Sequence, residues 1–143
     1  MSKAIGMIRY MLDTNTVSLL LRQHPQVLQH VLAVPMTALC LSAVTEAELQ
    51  FGLAKRPAAR RLAIAVRELL RRVDVLAWGR SAAARYGMLR AGLEREGRTL
   101  APLDLLIAAH ALDQRVVLVT NDRAFAMVAE LELADWSVPA TPV

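Results

Sequence analysis

Four short apolar runs punctuate the chain, at residues 7–12, 38–42, 73–77 and 115–120. Each has the length of a strand buried on both faces, where the alternation of apolar and polar residues disappears. The run at 115–120 (Arg-Val-Val-Leu-Val-Thr) is the clearest. Between the runs, apolar residues recur at helical spacing. Asn15 or Thr16 can cap a first helix carrying Val17, Leu20 and Leu21 to about Arg22. Pro25 fits the first turn of a second helix through Val27, Leu28, Val31 and Leu32, which Pro35 ends. Thr45-Glu46-Ala47-Glu48 opens a third, ending near Gly52. A fourth runs from about Pro57 to Arg72, with Leu62, Val66, Leu69 and Leu70 on one side and Arg60, Arg61, Arg67 and Arg71 on the other. Residues 81–96 form a fifth, stopped by Gly97. Residues 103–112 are apolar on nearly every side, so that helix should be central. A short helix holding Phe125 and an edge strand within 131–138 close the chain. Strands alternating with helices predict an α/β fold, a small parallel sheet covered on both faces, in one domain spanning residues 1–143.

The same pattern locates the chemistry. The run 7–12 stops at Asp13, and a carboxylate at the end of a buried strand costs on the order of several kcal/mol unless something pairs with it. No Arg or Lys adjoins it on the Thr14-Asn15 side. Glu48, Asp104 and Asp122 also stand where apolar elements begin or end. In parallel sheets ligands bind beyond the carboxyl ends of the strands, and Asp13 and Asp122 both lie just past such ends. Each acid also has a purely structural reading. Asp13 can cap the helix after it. Thr45-x-x-Glu48 is a capping box. Asp104 can offset a helix dipole, worth ~0.3–1 kcal/mol, although its neighbours Leu103, Leu105, Leu106 and Ile107 imply a burial that this role does not need. Asp122 follows Asn121 in common turn chemistry. His24, His30 and His110 make no ligand set by spacing, and there is no zinc pattern, glycine-rich phosphate loop or Gly-x-Ser-x-Gly. Chemistry therefore falls to the carboxylates. Oxygen ligands select hard cations, Mg²⁺ or Mn²⁺, and clustered carboxylates without one repel each other.

Composition narrows the classes. Hydrophobic residues make up 55% of the chain, which excludes disorder, and aromatics only 4%, which argues against a stacking platform for single strands. The net charge is +4, and 15 of the 17 basic residues are Arg, suited to phosphate or carboxylate. Cys40 lies inside an apolar run and reads as core in a reducing compartment. No stretch resembles a signal peptide or a membrane span of ~18 apolar residues.

The motifs, taken in order, resemble a known family: Met11-Leu12-Asp13-Thr14-Asn15; Ser42-Ala43-Val44-Thr45-Glu46-Ala47-Glu48-Leu49 with Gly52; Asp104-Leu105-Leu106-Ile107-Ala108-Ala109-His110-Ala111; Leu118-Val119-Thr120-Asn121-Asp122 with Phe125; and Asp135-Trp136. The set is similar to PIN-domain ribonucleases of the VapC toxin type, across nearly the whole chain. The resemblance implies a PIN-like three-layer α/β/α fold and Mg²⁺- or Mn²⁺-dependent RNA cleavage by metal-activated water. It implies Asp13, Glu48, Asp104 and Asp122 as the acids, with Asp13, Asp104 and Asp122 on the metal and Asn15 and Thr120 in support. It also implies a homodimer in the bacterial or archaeal cytoplasm, a VapB-type antitoxin that holds the enzyme inactive, and tRNA or rRNA as substrate. One departure stands out. Relatives often carry an acid just before the Phe, where this chain has Ala124, so the fourth acid falls on Asp122.

Two other readings remain open. The acids can be caps in a module that binds RNA or a partner without turnover. A haloacid-dehalogenase-like phosphatase needs two aspartates two residues apart, and the second position here is Asn15. For the RNA backbone, Arg95 and Arg98 are the favoured contacts, since they lead into the Asp104 helix.

Overall fold

Strands that are apolar on both faces must be covered on both faces, and the sheet is built that way. The computed structural model describes residues 8–140. Five parallel strands, β1 (Tyr10–Leu12), β2 (Leu39–Ser42), β3 (Asp74–Leu76), β4 (Val117–Val119) and β5 (Leu133–Ala134), lie in the order β3-β2-β1-β4-β5. Met11 pairs with Cys40 on one side and Leu118 on the other. Six helices connect them: α1 (Thr14–Leu21), α2 (Pro25–Leu32), α3 (Ala43–Lys55), α4 (Arg60–Arg72), α5 (Arg80–Arg95) and α6 (Pro102–Gln114).

Successive strand residues face opposite ways, and the two cores divide accordingly. Met11, Cys40 and Leu118 face Leu93 of α5, Ile107 and Ala108 of α6, and Phe125. Leu12, Leu39, Leu41 and Val119 face Val17, Val27, Leu49 and Val66, from α1 to α4. The result is three layers, α/β/α. The helix expected to be central is so: Ile107 to Ala111 are all buried.

After β1 the chain moves outward to β2 and β3, then returns across the sheet to β4 and β5. The strand order reverses beside β1, and the carboxyl ends of β1 and β4 open a crevice there. Asp13 and Thr120 follow those two ends.

Several boundaries differ from expectation. Of the caps open to α1, Asp13 is the one used, in place of Asn15 or Thr16. α3 begins at Ala43 with Ser42 as its cap and runs through Gly52 to Lys55. Thr45 is therefore already inside the helix, and the Thr45–Glu48 capping box is not made. α4 begins at Arg60, because Pro57 and Ala58 form a turn and Ala59 is the N-cap. Arg115, expected to open β4, takes a left-handed conformation (φ 56°) as the C-cap of α6. The short segment around Phe125 is a 3-10 helix over Arg123–Met127, and the edge strand shrinks to two residues. Met7, the first residue of the first apolar run, lies outside the described residues.

Candidate active site

The crevice is assembled from the ends of β1 and β4 and the starts of α1, α3 and α6. Asp13 is 5% exposed. Its Oδ1 accepts from the Thr16 backbone N–H at 2.8 Å, the usual N-cap bond. Thr16 is fixed in turn, its hydroxyl donating to the Val119 carbonyl at 3.0 Å. The Asp13 backbone N–H donates to that same carbonyl at 3.0 Å, tying the cap to the end of β4. Burial pushes the Asp13 carboxyl above its ordinary range. Hydrogen bonds from Thr120 and Thr16 oppose the rise, and the charge of Asp122 adds to it.

Glu48 lies one turn past Thr45 on α3, and its Oε1 accepts from the Thr14 hydroxyl at 2.5 Å. The Thr14 hydroxyl also lies 3.4 Å from that of Thr45. So Glu48 is held across the crevice by α1 rather than by its own helix terminus. Asp104 sits in the first turn of α6, behind Pro102. Burial raises its carboxyl as well, followed by repulsion from Asp122, Asp13 and Glu48. All four acids are thus within electrostatic reach of one another at Asp104. Asp122 is exposed and caps the 3-10 helix, its Oδ1 accepting from the Ala124 N–H at 2.9 Å. Its own backbone N–H donates to the Thr120 hydroxyl at 3.0 Å. Asn15 donates from its amide to Asn121 Oδ1 at 3.2 Å, closing the rim between α1 and the loop after β4.

The structure therefore brings the four acids to one crevice, with Asn15 and Thr120 beside them. Among the described residues, no three His, Cys, Asp or Glu side chains stand close enough to share one ion. None of the described ion pairs involves these acids. The donor set is wholly oxygen, two of its members are raised by burial, and no arginine offsets them. Such a set fits a hard divalent cation.

Four supporting residues escaped the sequence reading. Thr14 and Thr45 were in plain view, but their partner on the facing helix was not. Ser42 caps α3, its Oγ accepting from the Val44 N–H at 3.0 Å, and a Ser before an apolar helix is a legible signal. His110, fully buried, places Nδ1 2.7 Å from Ser42 Oγ. Sixty-eight residues separate the two, so spacing gives no hint. The Ser42 hydroxyl thus bridges the start of α3 and the buried ring of α6. Burial holds the His110 pKa below its ordinary value, with the Asp113 charge and the Ala77 carbonyl opposing.

A comparison with known proteins decides the family. The PIN domain model matches residues 10–131. The "tRNA(fMet)-specific endonuclease VapC" of Shigella flexneri is 34% identical over 132 residues, covering 92% of this chain and all of that protein. This chain belongs to the PIN-domain family, among the VapC ribonucleases. "Ribonuclease VapC2" of Haemophilus influenzae strain KW20 is 31% identical over 91% of this chain and 99% of its own length. The crystal structure of DNA-bound VapBC from Salmonella typhimurium superposes with a TM-score of 0.84 at 32% identity, covering 91% of this chain and 99% of that one. VapBC2 from Rickettsia felis, bound to a promoter DNA fragment, gives 0.83 at 29% identity, over 90% and 99%. A VapC fold thus carries an acidic crevice at the reversal point of its sheet, and the three-layer architecture expected from the sequence is the one found.

Proposed function

We propose that this chain is the toxin of a toxin–antitoxin pair, a divalent-metal-dependent endoribonuclease with tRNA as its substrate class. The observation that carries the reading is the convergence of Asp13, Glu48, Asp104 and Asp122 on one crevice with no cationic side chain among them. The names of the relatives support ribonuclease activity, the Shigella flexneri protein supports tRNA, and the VapBC complexes support a VapB-type antitoxin as partner. The two cores flank one sheet, which supports a single domain. Among the described residues, no helix is long and apolar enough to cross a membrane; a cytoplasmic site of action accords with the family.

In this reading Asp13 and Asp104 hold the cation and Asp122 completes the acidic pocket. Mg²⁺ and Mn²⁺ both suit carboxylate donors. When bound, the cation supplies positive charge that offsets the carboxylates and the scissile phosphate. Glu48, aimed by Thr14, takes a proton from the attacking water. The water oxygen bonds to phosphorus as the bond to the leaving ribose oxygen breaks. Thr120 holds Asp13 and the Asp122 backbone in place, and Asn15 fixes the rim. Arg95 and Arg98, exposed at and beyond the end of α5, are offered to the RNA backbone.

The test is cleavage of total cellular RNA by the purified chain with Mg²⁺, Mn²⁺ or EDTA, beside folded Asp13→Asn and Asp104→Asn. Discrete fragments that vanish with EDTA and in both variants are expected, and their ends identify the RNA. Intact RNA of every class after incubation with the folded, metal-supplied protein would leave a binding module instead.

A further inference from the structure

The crevice does not end at Glu48. Between α1, α3 and α4 it continues into a cavity of about 350 Å³, within the range of small-ligand sites. Its walls are Leu21, Leu49, Leu53, Leu62 and Val66, and Glu48, Thr14 and Asn15 line its inner end. Gly52 lines it as well. That glycine lies inside α3, where glycine weakens a helix. A Cβ added there would meet no atom within 4 Å. The protein leaves this space open instead of packing it.

The outer end is basic. Arg22 at the C-cap of α1, and Lys55 and Arg56 at the end of α3, line it and are exposed. None of them belongs to the described ion pairs. An apolar slot with Glu48 at one end and cations held by no carboxylate at the other complements a polyanion that carries flat, apolar-faced groups. One phosphate would lie at the acids, the base beside it would enter the slot, and the next phosphates would meet the cations. Asn15 and Ser18 offer polar groups to the base edge.

We propose that this cavity is a nucleobase subsite for the RNA strand next to the scissile phosphate, with Arg22, Lys55 and Arg56 on the flanking phosphates. The proposal rests on the ribonuclease reading above. Gly52→Leu tests it, since leucine favours the helix while filling the slot. The variant should melt no lower than wild type. Its KM for RNA should rise by about tenfold, as expected for burial worth about 1.4 kcal/mol, with little change in kcat. Independently, the four ribonucleoside 5′-monophosphates are titrated into the wild-type protein and followed by amide NMR. At least one should shift Gly52 and Leu53 saturably, where ribose 5-phosphate does not.

Equal shifts from ribose 5-phosphate, no shifts from any nucleotide, or an unchanged KM in folded Gly52→Leu would each overturn the subsite. Loss of the antitoxin by that variant with KM unchanged would reassign the cavity to a protein segment, and also overturns it. A wild-type protein that cleaves no RNA refutes the ribonuclease reading instead, and the nucleotide titration still decides the cavity.

Discussion

Neutralising Asp13 should separate its two jobs. Asparagine caps a helix as well as aspartate does, so Asp13→Asn keeps the acceptor for the Thr16 N–H. It removes a charge that the fold disfavours, because burial raises the Asp13 pKa above its ordinary value. A group whose pKa is raised on folding is held charged at neutral pH at a cost in stability. Without divalent metal, Asp13→Asn should therefore melt at or above wild type. Asp13→Ala loses the cap and should cost about 1 kcal/mol, or roughly 3–5 °C in a chain of this size. Adding Mn²⁺ should raise the wild-type melting temperature and leave Asp13→Asn unmoved. Differential scanning fluorimetry with EDTA and with Mn²⁺ reads both effects. If Asp13→Asn melts as low as Asp13→Ala in EDTA, the charge is stabilising and the reasoning from burial is wrong.

Other perturbations probe the rest of the crevice. Thr14→Val removes the hydroxyl that holds Glu48; cleavage should fall by about tenfold for a loss near 1.4 kcal/mol, with a melting change below that of Asp13→Ala. Unfolded His110 binds protons at its ordinary value of 6.5, whereas burial keeps it neutral to lower pH in the fold. Its contribution to stability is thus fully present above 6.5 and declines as pH falls toward the folded pKa, so urea midpoints measured between about pH 7 and 5 should fall less steeply in His110→Leu than in wild type. RNA binding should weaken as salt rises, with a log–log slope that becomes shallower by roughly one for each phosphate-contacting arginine removed; Arg95→Gln and Arg98→Gln read by anisotropy decide whether that end of α5 takes part.

The sheet and its flanking helices were legible because their signals are local. Apolar runs of strand length and helical stripes identify elements without knowledge of their partners, and the reversal of strand order then puts Asp13 and Thr120 at one crevice. Helix starts were less legible. Ser42, Thr45 and Glu48 offer two overlapping caps, and the spacing favours the box. Tertiary contacts decide otherwise, because Ser42 meets His110 and Glu48 meets Thr14, and both partners are distant in the chain. Arg115 illustrates a second limit: nothing local distinguishes a strand's first residue from a left-handed helix cap when the residue is not glycine.

The structural and chemical readings of the acids looked like rivals in the sequence, and the geometry makes them compatible. Asp13 and Asp122 are both N-caps, and each uses Oδ1 for the backbone bond. The cap thereby orients the carboxylate and leaves Oδ2 outside that bond. A cap is a short, directional anchor at the end of an element, and the ends of β1 and β4 are where the sheet opens its crevice. Capping thus positions these charges against their mutual repulsion, at helix N-termini whose dipoles favour negative charge. The fifteen arginines of this chain stay off the acids, which leaves the crevice acidic and its surroundings basic. An RNA strand held by the basic surroundings would meet unscreened carboxylates at the centre. Metal and substrate binding should therefore be mutually favourable, each easing the charge that opposes the other.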